Sequence, residues 1–231
     1  MLSESYNNRL FKNPVRRYLH LSRFYWLRNS LSNYNPSFES VIELGCYDGR
    51  AIDFLPNTPN TYYGFDRDWE GGLTNAKEKY QNEENFKFVH CESPDKMQLP
   101  ADSVFSFGIC METLEHLSNS DLNGYLMILS KHVKGPVFIT VPNEIGIFFG
   151  AKFLIKAIFF RERHNYSIFE FLMQLLGKSE HVTRLEHKGF NHKYLRKELL
   201  KYFIIDSEVG IPFKYLPKSL NSQIGWVLFT K

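Results

Sequence analysis

From residue 40 to residue 143 the chain alternates short apolar runs with longer polar stretches. The runs 41–44, 61–66, 86–90 and 138–143 are β-prone, and the segment 99–111 leads into another such run. Between them lie helical patterns, a short one over 51–55 that stops at Pro56 and Pro59 and a polar one over 69–81. Strands that alternate with helices predict βαβ units and a parallel sheet. Two further strands, 203–209 and 226–229, bring the count to seven. Ahead of the sheet, residues 15–31 set Leu19, Phe24, Leu27 and Leu31 among Arg16, Arg17, Arg23 and Arg28. This predicts an amphipathic helix, closed by the turn residues Asn33-Tyr34-Asn35-Pro36.

A second pattern follows the fifth strand. Ile147, Phe148, Phe149, Phe153, Leu154 and Ile158 form a dense apolar run in which Lys152 and Lys156 are the only charges before Arg161. After a polar break at 164–167, an amphipathic helix begins at Ile168 and ends at Gly177. This helical pair either completes the core or forms an interfacial lid, because aromatics beside Lys and Arg suit a membrane surface or a lipid-linked substrate. The segment 145–160 is too short and too interrupted to span a bilayer, which takes about 20 apolar residues.

Composition narrows the class. The 231 residues suffice for one α/β domain with insertions. Its parts are a leading cap helix (1–35), a core (36–143), a helical insertion (144–185) and a closing helix with two strands (186–231). The net charge of +3 is too mild for a surface that tracks nucleic acid. Cys46, Cys91 and Cys110 lack metal-ligand spacing and read as free thiols. With no signal-like start, the expected location is the cytoplasm, with a peripheral membrane contact through 145–163 as the sharper alternative to a core helix. The oligomeric state is not legible.

The central stretch is Val41-Ile42-Glu43-Leu44-Gly45-Cys46-Tyr47-Asp48-Gly49-Arg50. An apolar strand ends at an acid and a glycine, and a second glycine follows four positions on, where a helix begins. Glycine tolerates positive φ and lets a ligand lie against bare backbone. The dinucleotide pattern G-x-G-x-x-G fails here, with Tyr47 and Arg50 in place of two glycines. The stretch instead resembles the first motif, E/D-x-G-x-G-x-G, of the class I S-adenosylmethionine-dependent methyltransferases, with Tyr47 at the middle glycine. Asp66 stands 21 residues beyond Gly45, where an acid at the end of a second strand accepts from ribose hydroxyls. Cys91-Glu92-Ser93 falls where the family has G-D-A, which implies Glu92 on the adenine side. Ser106 replaces the family's usual Asp near strand four, and Val141-Pro142-Asn143 matches a turn common in these enzymes.

The resemblance implies a Rossmann-like, seven-stranded, mostly parallel sheet with helices on both faces and the last strand antiparallel. It carries an N-terminal helix and a helical insertion after strand five. The implied cofactor is S-adenosyl-L-methionine, held by Gly45, Gly49 and Asp66 with Glu43 and Glu92 in support.

Glu112, Glu115 and His116 carry the second piece of chemistry. On a helical turn, positions i, i+3 and i+4 project from one side, here at the carboxyl end of strand four. E-x-x-E-H at this place resembles the metal motif of the ubiquinone-pathway O-methyltransferases and the small-RNA terminal 2′-O-methyltransferases. Two carboxylates and an imidazole suit Mg²⁺ or Mn²⁺, and a divalent cation would acidify a substrate hydroxyl. The resemblance makes His187, in Glu186-His187-Lys188-Gly189-Phe190, the closing ligand, with His164 and His192 as rivals. In the metal-free alternative His116 is the general base, with Glu115 and His187 completing the catalytic group. The expected acceptor is a small, lipid-linked or glycan-linked molecule methylated on oxygen. An RNA terminal 2′-O-methyltransferase and a non-catalytic binding module are the rival readings.

Overall fold

At the centre of the structure, a computed structural model that describes residues 12–100, 102–159, 166–185 and 187–231, β1 (Ser40–Leu44) and β4 (Phe107–Met111) run parallel and side by side. β2 (Thr61–Asp66) and β3 (Phe86–His90) extend the sheet one way. β5 (Val137–Pro142), β7 (Gln223–Thr230) and β6 (Phe203–Ile211) extend it the other way, giving the order β3-β2-β1-β4-β5-β7-β6. The first five strands are parallel, and β7 lies antiparallel between β5 and β6. This is the seven-stranded, mostly parallel α/β sheet that the sequence predicts. Strand order reverses between β1 and β4, which opens a crevice at their carboxyl ends. Leu44, Asp66, His90, Met111 and Pro142 all end strands on that edge.

Period-two alternation splits the core into two layers. Val41, Phe107, Ile109, Phe138 and Val227 pack with α1 (Pro14–Tyr34) and α2 (Gly72–Lys79). Ile42, Cys110, Ile139, Val141 and Leu228 pack with α3 (Asn119–His132) and α6 (His192–Tyr202). Burial on both faces is why the central strands read as unbroken apolar runs. The three cysteines are free and buried.

Helix boundaries differ from the sequence pattern for local reasons. α1 outlasts the expected end at 31 because Asn35 adopts φ 43° and its N–H reaches the Leu31 carbonyl. The helix expected over 51–55 is a 3-10 turn, Arg50–Phe54. The one expected over 69–81 is shortened to α2, because Asp68, Glu70 and Gly71 all take positive φ.

The insertion is the expected helical pair, α4 (Gly146–Phe159) and α5 (Ile168–Leu175). Ser167 and Glu170 close a capping box on α5, which is followed by Gly177 at φ 74°. The Gln174 amide donates to the Glu144 and Phe190 carbonyls (2.6 and 2.8 Å), which ties α5 to both flanking segments. The rival ligand His164, residues 160–163 of the expected membrane contact, residue 186 and residues 1–11 of the leading segment lie outside the described residues.

Candidate active site

The β1 loop is shaped by its neighbours as much as by its own glycines. Gly45 sits at φ 70°, and a Cβ there would lie 1.9 Å from Thr113 Oγ1. Only glycine therefore lets the loop after β1 touch the loop after β4. Gly49 repeats the left-handed conformation at φ 69°. Tyr47 takes φ 47°, the backbone that the missing middle glycine would supply. Its ring fits because Gly72 has no side chain; a Cβ at 72 would stand 2.2 Å from Tyr47 Cδ2. Trp69 lies beside it, ring centroids 6.0 Å apart.

Asp66 ends β2 under this loop. Its two oxygens accept the backbone N–H groups of Tyr47 (3.0 Å) and Asp68 (2.8 Å), which fixes the carboxylate. A carboxylate offers about four acceptor positions, and with the Trp69 N–H also directed at it, room for a ribose hydroxyl remains. Burial nevertheless raises its pKa. Glu43 is buried and accepts from the Tyr62 hydroxyl. Burial, with Asp48 and Asp66 nearby, pushes Glu43 up to about 8. Glu92 follows the carboxyl end of β3. It is exposed, and its carboxylate is engaged by Lys96 on the surface after β3. Ser106, where the family has an acid, precedes β4 and bonds through its N–H to the Ser40 carbonyl (2.8 Å), at the sheet edge opposite the crevice.

Glu112, Glu115 and His116 do not share an α-helical turn. Glu112 takes φ 53° and its N–H bonds to the Thr140 carbonyl (2.9 Å); a single 3-10 turn, Leu114–His116, follows. The sharp left-handed corner breaks the expected i, i+3, i+4 register. The fold does bring Glu115, His116 and His187 together, with one ligand atom of each within 4.8 Å of the others. His116 Nε2 is 3.9 Å from Glu115 Oε1, and the His116 and His187 rings meet edge to face with centroids 4.6 Å apart. Glu112 is not part of this triplet; it faces Arg23, Glu144 and Lys152 and takes a hydrogen bond from Gln223. The rival His192 is buried on α6 near Glu208, apart from the triplet.

The electrostatics are those of crowded acids. Glu115 is fully buried and neither carboxylate oxygen has a hydrogen-bond partner. Burial, with Glu112 beside it, holds its pKa well above the ordinary carboxylate value. Burial likewise brings Glu112 to about 7. Partial burial and the neighbouring His116 lower His187 to about 4, although the residue keeps an open side at the mouth. His187 is therefore neutral near pH 7. Arg184 donates to the Glu115 carbonyl and anchors the turn. Four participants lacked a signal in the sequence: Arg23 on α1, Glu144 after β5, its partner Lys152, and Arg184. Arg23 was one of several arginines in its segment, and only Glu144 stood next to a recognised turn.

The comparisons bear on the family and the fold. Residues 16–191 match the model of a family described as a methyltransferase domain. No curated protein matches the chain in sequence. Among solved structures, an S-adenosylmethionine-dependent methyltransferase from Clostridium acetobutylicum ATCC 824 is 14% identical with a TM-score of 0.62, over 92% of both chains. The N-methyltransferase NodS from Bradyrhizobium japonicum WM9, solved with S-adenosyl-L-homocysteine, is 12% identical with a TM-score of 0.62, over 99% of this chain and 94% of its own. The magnesium protoporphyrin IX methyltransferase ChlM from Synechocystis PCC 6803, with the same ligand, is 12% identical with a TM-score of 0.61, over 94% and 88%. At such identities these structures speak for the fold, while the family match covers most of the chain. The chain belongs to the methyltransferase-domain family, an enzyme with the class I S-adenosylmethionine-dependent fold.

Proposed function

We propose that the protein transfers a methyl group from S-adenosyl-L-methionine to an oxygen of a small, lipid-linked or glycan-linked acceptor. The donor set suits this cofactor. Gly45 and Gly49 bring no Cβ to the two turns of the loop, and Asp66 keeps acceptor capacity for a ribose hydroxyl. The cofactor supplies a methyl group on a sulfonium, electrophilic enough for a deprotonating hydroxyl to attack. Positioning is the larger part of such catalysis.

The observation that carries the oxygen reading is the meeting of His116 and His187 beside buried Glu115. His116 Nε2 takes the hydroxyl proton, with the Glu115 carboxyl 3.9 Å away. Neutral His187 orients the acceptor by a hydrogen bond. His116→Ala should abolish transfer of labelled methyl from S-adenosylmethionine to a panel of phenols and of free and lipid-linked glycans, while leaving S-adenosylhomocysteine affinity unchanged. A fully active variant would remove His116 from the mechanism.

A second reading rests on the same triplet. Two partnerless carboxylate oxygens on Glu115 beside two imidazoles suit Mg²⁺ or Mn²⁺, with Glu115, His116 and His187 as ligands and Glu112 outside the set. Such an ion would acidify the acceptor hydroxyl. Mn²⁺ binding followed by electron paramagnetic resonance, present in the parent and lost in Glu115→Gln, would favour this reading; no Mn²⁺ signal in either would leave His116 as the base.

A further inference from the structure

Two helices of the insertion have their polarity reversed. On α4, Lys152 turns inward to Glu144 (2.5 Å), while Ile147, Leu154 and Ile155 face solvent. On α5, Glu170 turns inward to the N–H groups of Ser167 and Thr183 and to Lys188, while Ile168, Phe169, Leu172 and Leu176 face out. Ile168 is 83% exposed. Positions 168, 172 and 176 repeat every four residues and 147, 154 and 155 fall seven and eight apart, so each set forms one stripe. A helix facing water does the opposite. Nor is an inward apolar face missing, because Phe149, Phe153, Tyr166 and Phe171 already pack on one another between the two helices.

The apolar surface continues beyond the pair. α4 also packs against the 3-10 turn Lys218–Leu220. The loop 212–221 that contains this turn exposes Phe213, Tyr215, Leu216 and Leu220 and carries no acid; of its two lysines, Lys218 pairs with Glu208 on β6 (2.7 Å) and Lys214 lies beside Tyr215. Lys214 Nζ stands 4.9 Å over the Tyr215 ring, and Tyr215 is 89% exposed. Lys178, just after α5, is exposed as well. Aliphatic stripes bordered by an aromatic ring and lysines match the boundary between acyl chains and anionic headgroups. No described helix is long and apolar enough to cross a membrane. We propose that this face, made of α4, α5 and the loop 212–221, seats the enzyme on the surface of a bilayer that contains anionic phospholipid. The inference does not depend on the methyl acceptor or on the role of His116.

Flotation of the full chain with vesicles tests it. Phosphatidylcholine vesicles with phosphatidylglycerol should carry the protein upward, and pure phosphatidylcholine vesicles should carry roughly tenfold less. Ile168→Glu combined with Leu172→Glu, both at exposed positions, should cut flotation roughly tenfold or more, with melting temperature and S-adenosylhomocysteine affinity kept. Protein that stays at the bottom with both vesicles, or a variant that floats like the parent, would overturn the proposal. Equal flotation on both vesicles would overturn its anionic part. If the parent self-associates in light scattering without lipid and the variant is a monomer, the face joins two copies of the chain and the membrane assignment is wrong.

Discussion

Single residues decide whether the motif loop works. Tyr47 looks like a lost glycine, yet its positive φ keeps the loop in shape and Gly72 makes room for its ring. The sequence shows the substitution but not the compensation, since the two residues meet only in the folded chain. Asp66 is legible from its spacing, but its grip on the Tyr47 and Asp68 N–H groups is not. Asp66→Ala should weaken S-adenosylhomocysteine binding by about tenfold or more, equivalent to about 1.4 kcal/mol, as read by calorimetry; unchanged affinity would remove Asp66 from the ribose contact. Glu43 makes a pH prediction. Its folded pKa is raised to about 8 from 4.5, so the native state keeps a proton that the unfolded state releases. Stability from this group is therefore fully present below 4.5 and falls as pH rises toward 8, by about 1.4 kcal/mol per pH unit at most. Urea unfolding of Glu43→Gln against the parent, at pH 5 and pH 8, should show a larger loss in the parent, because the raised Glu112 and Glu115 contribute the same loss to both proteins. The comparison cancels His187, whose lowered pKa acts in the opposite sense below 6.5.

At the scale of elements, strands were the legible part and short turns were not. The five parallel strands are enclosed on two faces and announce themselves as apolar runs. E-x-x-E-H spacing suggests a helix, but the chain turns a left-handed corner at Glu112 before a single 3-10 turn, so the fourth ligand of the expected set leaves. Spacing alone cannot register such a corner, because it is set by the pairing of the Glu112 N–H with Thr140 on β5. The contact between the β1 and β4 loops makes a direct test. Gly45→Ala meets both a 1.9 Å clash with Thr113 and an unfavourable φ, and should destabilise the fold by about 2 kcal/mol or more. Thr113→Ala should recover part of the loss in a thermal melt; no recovery would mean that φ strain, not the contact, dominates. The start of α5 carries its signal in the open as Ser167-Ile168-Phe169-Glu170, a capping box. Ser167→Ala should cost about 1 kcal/mol in urea unfolding, and an unchanged midpoint would show that α5 is held by its packing instead.

Over the whole molecule, topology follows from the order of runs, while the site is assembled from distant segments. The antiparallel entry of β7 and the crevice between β1 and β4 follow the resemblance that Glu43, Gly45 and Gly49 carry. Arg23, Glu144, Lys152 and Arg184 reach the site from α1, the β5 loop, α4 and the segment after α5, and nothing local in the sequence marks them. Glu92, just after β3, pairs with Lys96, a partner that the spacing does not reveal. The central claim is that the crevice after β1 and β2 holds S-adenosylmethionine. Calorimetric titration of S-adenosylhomocysteine into metal-free protein tests it most directly. Micromolar binding that weakens in Asp66→Ala is the expected result; no heat at millimolar ligand would contradict it.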